Sequence, residues 1–321
     1  MDNILWILFQ ALVFPGALFL ILLAFFYDWF DRKIVARMQN RVGPLVAGRI
    51  GILQPFYDFV KLVAKEDITP AAAVRPLFTT MPVMAVAIAV FSILFVPMLS
   101  HEALLHFEGD MVLVMTLNTF FSIIVFMAGW AAMGRFGSVG AERAATQLMG
   151  YEIPEFISAF SVCLLAGSLS ITAVNNAQAQ VGIPFILLQP LGFVVFLVSL
   201  QAELEKVPFD IPEAKTEIVG GWLAEYSGKK LAFFKLAEEL RVVFGAALMA
   251  TLFFGGNHGP LLPPIAWFLI KTTIAVFIIS TFRAVAARFR IDQVLKGGWK
   301  WLTPLALLQV LITYLVFLVV G

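Results

Sequence analysis

Nineteen residues from Asp210 to Gly228 read DIPEAKTEIVGGWLAEYSG and set Asp210, Glu213, Glu217 and Glu225 beside Lys215, in a chain that is 61% hydrophobic and only 13% charged. Glu203, Glu205 and Lys206 stand just before them. Carboxylates crowded together cannot all ionise at once, which raises some of their pKa values and lets a cluster of this kind exchange protons. The same stretch holds Lys206, Lys215, Lys229, Lys230 and Lys235, and that composition also reads as a solvated, salt-bridged face. A second acidic group, Glu142, Glu152 and Glu155, falls where the fourth apolar stretch begins. Lys271 stands ten residues into the seventh. An ammonium at that depth needs a carboxylate or water, or must snorkel to the surface.

The elements that position these residues follow from composition. A mean hydropathy of +0.93 and so few charges identify an all-α integral membrane protein. Apolar stretches long enough to cross about 30 Å of hydrocarbon lie at Ile4–Phe26, Leu77–Leu99, Met111–Met133, Phe156–Thr172, Ile183–Leu200, Val242–Gly255, Leu261–Phe282 and Leu302–Val320. They predict about eight transmembrane helices in a single membrane domain covering residues 1–321. The sixth is the shortest and extends at its start only by taking in Glu239 and Arg241. With eight spans, 21 of the 22 Lys and Arg fall in the connections 27–76, 134–155, 201–241 and 283–301. Positive residues collect on the cytoplasmic side, so both termini are expected on the non-cytoplasmic face of the cell membrane. The first stretch lacks a basic leader and exceeds signal-peptide length, so it is expected to stay in the mature chain.

What is missing excludes several chemistries. The single cysteine, Cys163, cannot hold an iron–sulfur cluster, which ordinarily takes four thiolates. The three histidines, His101, His106 and His258, all lie in the outer connections and cannot sandwich a haem across the membrane. No phosphate-binding loop is present, and Gly134, Gly137 and Gly140 have the wrong spacing for a dinucleotide fingerprint. The net charge of +1 gives no reason to expect nucleic acid as a partner. The chain is read as having no metal and no cofactor of its own.

Between the first two spans, PFYDFVKLVAKE at 55–66 places Phe56, Phe59, Val60 and Val63 on one side of a helix and Asp58, Lys61 and Lys65 on the other. This predicts a cytoplasmic amphipathic helix lying along the membrane surface.

Taken in order, the motifs resemble the membrane subunit shared by respiratory complex I (its H-type membrane subunit, subunit 1 in mitochondria) and the energy-converting membrane-bound [NiFe] hydrogenases. The residues that carry the likeness are Arg41, Gly43 and Pro44; GILQPFYDFVKLVAKE at 51–66; GAERAATQLMGYE at 140–152; and Glu203, Pro208–Asp210, Glu213, Glu217, Glu225 and Tyr226. WFLIK ending at Lys271 follows, then Arg283, Arg288, Arg290, Asp292, Gln293 and GWK at 298–300. The wording DIPEAKTEI followed by EYSGKKLAFFKLAEEL is similar to the M- or D-type membrane subunit of the hydrogenases and related sulfur-reducing complexes. Two positions depart from the family pattern: Lys215 stands where a glutamate is usual, and Lys206 where complex I usually has an arginine. The first interrupts the acidic series, and the second lacks the planar fork of a guanidinium.

The resemblance implies a cofactor-free subunit of a ferredoxin-dependent hydrogenase or sulfur reductase, not catalytic alone. It would dock the soluble redox arm and link electron transfer to proton or sodium-ion translocation. Its expected partners are hydrogenase-like large and small subunits, an iron–sulfur subunit and antiporter-like membrane subunits, with ferredoxin acting through the soluble arm. The NiFe centre and iron–sulfur clusters would lie on those partners. Proton-path candidates are Glu152, Glu203, Asp210, Glu213, Glu217, Glu225 and Lys271. Docking candidates are Arg41, Arg49, Asp58, Lys61, Arg283, Arg288, Arg290 and Lys300; the arginines and Lys300 read first as topology anchors, and Asp58 and Lys61 as part of an amphipathic connector between two spans. Two alternatives stay open: the H-type membrane subunit of a quinone-reducing complex I, and a free-standing secondary ion transporter.

Overall fold

A computed structural model describes residue 10 and residues 12–320, with side chains to residue 315. Among the described residues the secondary structure is helical, with no strand. The long elements are α1 (Ala17–Met38), α2 (Gln54–Ala64), α3 (Arg75–Ile93), α4 (Asp110–Ala131), α5 (Arg135–Ala166), α6 (Ile171–Val181), α7 (Pro190–Glu203), α8 (Gly228–Phe253), α9 (Pro264–Val285), α10 (Ile291–Gly297) and α11 (Thr303–Val320). A π-turn at Gly298–Leu302 joins α10 to α11.

Each of the eight apolar stretches overlaps one of these helices. The start of the first, before residue 10, and Asp2 lie outside the described residues. Among the described residues four helices, α3, α4, α5 and α9, are long and apolar enough to cross a membrane, and α7 is a shorter apolar helix. The remaining stretches fall on α1, whose second half carries Asp28, Asp31, Arg32, Lys33 and Arg37, on α8, and on α11. The fifth stretch is broken at Gln189, which separates a single turn, Phe185–Leu188, from α7.

At the centre stands α8. Every residue from Leu240 to Phe253 is buried, and the helix packs against α1, α2, α3 and α9. A helix apolar all round belongs inside a bundle, and this one contributes the largest share of the main core with Leu240, Phe244, Met249 and Phe253. The sixth stretch lies on this buried helix, which starts well before the stretch does: α8 begins at Gly228 and carries Glu238, Glu239 and Arg241 into the bundle. Likewise α5 is continuous over 32 residues through 135–155, and α1 runs on to Met38. Much of what the sequence assigned to connections is thus helix projecting beyond the apolar layer.

The amphipathic helix is present as α2. Its Phe56 and Phe59 rings pack on Phe25 of α1 at 6.0 and 5.6 Å, while Phe56, Tyr57 and Val60 remain exposed. One element is unforeseen: α6, ITAVNNAQAQV, whose Asn175 and Gln178 are buried by hydrogen bonds to Asn257 and to the Thr251 carbonyl.

Candidate functional site

Where α1 and α9 end and α8 begins, the segment 204–226 folds across them and encloses a cavity of about 460 Å³. Its walls are Asp28 and Arg32 from α1, Lys235, Glu238, Glu239 and Arg241 from α8, and Arg283 and Arg288 from α9 and the turn after it. The crossing segment adds Glu205, Lys206, Asp210, Glu213 and Lys215. The connections rich in Lys and Arg lie at this basic end of the bundle.

The crossing segment is held by close backbone packing. Gly221 has φ +60°, and a Cβ there would lie 1.8 Å from the Pro212 carbonyl oxygen, so only glycine fits. From α5, Gly140 lets that helix approach the Trp222 backbone, where an added Cβ would meet the nitrogen at 2.4 Å. Trp222 is buried edge-on against Phe234 of α8, and Tyr226 stacks on Phe78 of α3 at 4.1 Å. The Tyr226 hydroxyl donates to the Ala128 carbonyl. These aromatic anchors fix where the charged residues between them can reach.

Most of the charges lining the cavity are paired. Arg32 bridges Asp28 at 2.6 Å and Asp58 of α2 at 2.7 Å. Lys206 meets Glu239 at 3.1 Å, and Lys235 meets Glu238 at 2.7 Å and Glu213 at 3.4 Å. Arg288 donates to Asp210, and Arg283 to Asp31 just outside the lining. The deepest pair lies behind the wall: Arg241 donates to Glu203 at 3.1 Å, with the two side chains 5% and 2% exposed. Its guanidinium also lies 4.0 Å from the centre of the Phe121 ring.

Glu155 of α5 adjoins Glu203. Two buried carboxyls thus stand beside one guanidinium. Tyr151, one turn earlier on α5, reaches Ser122 at 3.0 Å and carries the polar group into α4.

In the crossing segment, burial is the main force on Glu205. It pushes the carboxyl up to about 7, with Glu238 adding to the shift, while Arg241, Lys235 and the hydrogen bond from Trp222 oppose it. Glu205 therefore changes protonation near neutral pH. Burial opposes the charge on Lys206, but Glu239, Asp31 and Glu238 outweigh it and hold the ammonium above its usual range, against Arg283. The cavity thus places a carboxyl that titrates near pH 7 beside a fixed cation.

A second, mostly apolar cavity of about 290 Å³ opens between α1, α2 and α8, lined by Phe25, Pro55, Phe59, Leu62, Leu231 and Leu236. It ends on Asp28, Arg32, Lys235 and Glu239, which are also walls of the charged cavity.

The sequence profile described as NADH dehydrogenase matches residues 10–314, nearly the whole chain. The chain belongs to the NADH dehydrogenase family. Similar proteins include the H-type membrane subunit of the NADH-quinone oxidoreductase of Dehalococcoides mccartyi strain CBDB1, 39% identical over 92% of this chain and 83% of the relative. The second such protein of Syntrophobacter fumaroxidans is 38% identical over 92% and 91%, and that of Anoxybacillus flavithermus strain WK1 is 40% identical over 89% and 87%. The complex I likeness read from the motifs is confirmed, and these relatives are subunits of a multi-subunit oxidoreductase. Closeness to the hydrogenase branch rests on the wording of residues 210–240 alone.

Within this family member, the seven proton-path candidates do not form one cluster. Asp210 and Glu213 line the cavity, and Glu203 stands directly behind it on Arg241. Glu152 accepts from Thr119 at 2.5 Å on α4, and Glu225 lies against Gly134. Glu217 is exposed and pairs with Arg143 at 2.5 Å. Lys271 is at the far end of the bundle and bonds backbone carbonyls in place of a carboxylate. Lys215, the departure from the acidic series, is exposed at the rim.

Of the docking candidates, Asp58, Arg283 and Arg288 are engaged in ion pairs with Arg32, Asp31 and Asp210. Arg290 faces Asp292 at 3.5 Å, and Lys300 lies over Trp301. Arg41 and Arg49 are exposed, as is Lys61 on α2.

Sequence reasoning missed Asp28, Glu238, Glu239 and Arg241 as cavity walls and gave Glu155 no role. The available signal was the charge spacing on the extended sixth span, where Lys235, Glu238 and Glu239 fall on adjacent turns of one helix face.

Proposed function

We propose that this chain is the membrane-anchor and coupling subunit of a complex-I-related oxidoreductase. It holds a soluble redox arm at the basic end of the bundle and links electron transfer to proton or sodium-ion translocation through antiporter-like membrane subunits. The basic end is the cytoplasmic one, by the asymmetry of Lys and Arg, which puts both termini outside. The observation that carries the reading is the junction of the two cavities. The mostly apolar cavity between α1, α2 and α8 ends on Asp28, Arg32, Lys235 and Glu239, where the charged cavity begins. An acceptor with a hydrocarbon tail and a polar head suits that sequence of walls. Relatives named as subunits of NADH-quinone oxidoreductase, at 38–40% identity, support a quinone as that acceptor.

The residues present fit the handling of protons and charge. Glu205, titrating near pH 7, can receive or release a proton at the cavity wall as the neighbouring charge changes. Asp210, Glu213, Glu238 and Glu239 supply further carboxylates, each beside a cation, and Arg241 connects the wall to the buried pair Glu203 and Glu155. Redox cofactors, whether a NiFe centre or iron–sulfur clusters, belong to partner subunits in this reading.

A second reading, a ferredoxin-dependent [NiFe] hydrogenase or sulfur reductase, is favoured by DIPEAKTEI…EYSG and by Lys206 before Pro208. The two separate on the isolated complex supplied with reduced ferredoxin or NADH. Reduction of a soluble quinone analogue, blocked by a quinone-site inhibitor, supports the first. Release of hydrogen or sulfide without quinone reduction establishes the second and overturns the first. Ion flux through this chain reconstituted alone overturns both in favour of a free-standing transporter.

A further inference from the structure

Lys271 lies two turns into α9, at the end of the bundle opposite the charged cavity. About 12 residues, or ~18 Å of helix, separate it from Arg283 on the same element. Its ammonium donates to the carbonyl oxygens of Gly255 at 3.0 Å and His258 at 2.6 Å, in the turn that leaves α8. An ammonium has three donors, and among the described residues no carboxylate pairs with this one. The side chain therefore brings a cationic group with a remaining N–H to a pocket of about 340 Å³, which it shares with Gln178, Ile183, Pro184, Phe254 and His258.

The other polar walls are already engaged. The Gln178 amide donates to the Thr251 carbonyl at 2.7 Å and accepts from the Phe185 N–H at 3.1 Å. His258 meets Asn176 at 3.0 Å and stacks on His101, ring centres 4.2 Å apart. Burial, then His101 and Lys271, pull His258 below the usual imidazole range. One turn nearer the helix start, Trp267 places its ring 5.5 Å from the ammonium and donates to the Pro260 carbonyl. A half-buried tryptophan anchored in this way marks the headgroup level of a bilayer.

A free phosphate would call for several donors. This pocket offers one strong cation and apolar walls, the combination that suits a phosphodiester carrying hydrocarbon. We propose that the pocket holds the headgroup of an anionic phospholipid, with a phosphate oxygen on Lys271 and the glycerol and upper acyl chains against Ile183, Pro184 and Phe254. The lipid would tie the α8–α9 turn to the short segment before α7 at the outer face.

The test is made on the intact complex, delipidated and titrated with phosphatidylglycerol in detergent, with bound lipid quantified by mass spectrometry. Wild type should bind one phosphatidylglycerol per chain that Lys271→Gln loses, with affinity falling about tenfold, as expected for one charge-assisted hydrogen bond. Ile183→Trp, which fills the pocket and leaves the Lys271 carbonyl bonds in place, should lose the same lipid, and Lys271→Arg should keep it. If Lys271→Gln fails to assemble, these two variants decide the matter. Equal binding by all variants, no binding by wild type, or displacement of the lipid by inorganic phosphate at comparable concentration overturns the proposal.

Discussion

Arg241 reaches Glu203 twice, with Nη2 donating to the carboxylate at 3.1 Å and to the backbone carbonyl at 2.8 Å. The two residues lie on α8 and at the end of α7, so the pair ties the central helix to α7 where the crossing segment starts. Breaking a buried pair leaves an uncompensated charge, which costs about 3–5 kcal/mol. Arg241→Met should therefore abolish stable assembly, and adding Glu203→Gln should recover much of the loss. Thermal unfolding of the detergent-solubilised complex measures both. A single variant as stable as wild type would show that the pair does not hold the two helices together.

Glu205 sets a pH dependence. Burial raises its carboxyl from 4.5 to about 7. Between those two values the folded chain binds the proton that the unfolded chain has released, so stability falls as pH rises through the window and levels off above 7. Glu205→Gln removes this penalty. The variant should gain on the order of 1–3 kcal/mol relative to wild type at pH 8 and little at pH 5. The difference in unfolding midpoint at the two pH values checks the sign. A gain larger at pH 5 would mean that the group is held ionised.

The architecture was legible because hydrocarbon thickness imposes a length that local composition reveals, and because Phe56, Phe59 and Val60 repeat at helical spacing on α2. The cavity was less so. Asp58 meets Arg32, Asp210 meets Arg288, and Arg241 meets Glu203 across 38 residues. Such pairings depend on how helices pack, and no local pattern encodes them. Glu239 and Arg241 looked like intruders on a short span because their partners Lys206 and Glu203 lie on another element. Lys271 was expected to find a carboxylate or water, or to snorkel to the surface; carbonyls in the turn after α8 satisfy two of its donors, as cations at helix C-termini commonly do. The acidic motif 210–228 did locate the cavity through Asp210 and Glu213, while its other half, Glu217 and Glu225, serves the contacts of the crossing segment with Arg143 and Gly134.

Gly221 is the residue on which the crossing segment turns. Its positive φ and the 1.8 Å approach of the Pro212 carbonyl to an added Cβ leave no room for alanine. Gly221→Ala should cost more than ~1 kcal/mol from the backbone conformation alone, and it should displace Trp222 from Phe234 and the Glu205 contact. Limited proteolysis between residues 212 and 228, slow in wild type, should become rapid. Gly220→Ala, with nothing within 4 Å of its added Cβ, separates the clash from the strain shared by both positive-φ glycines.

Asp210 and Glu217 sit seven residues apart in the same motif but in different surroundings, and that difference divides their expected roles. Asp210 faces the cavity, bonded to Arg288, with its side chain 16% exposed. Glu217 is 59% exposed and meets Arg143 on the surface. An exposed pair contributes about 0–1 kcal/mol, so Glu217→Gln should leave both assembly and ion transport near wild type. Asp210→Asn removes an ionisable group from the cavity wall while keeping its shape and frees the Arg288 guanidinium. Under the coupling reading it should lower ion movement per electron transferred in proteoliposomes, with the complex still assembled. Coupling equal to wild type in Asp210→Asn, or lost in Glu217→Gln alone, would move the path away from the cavity and onto the surface of the crossing segment.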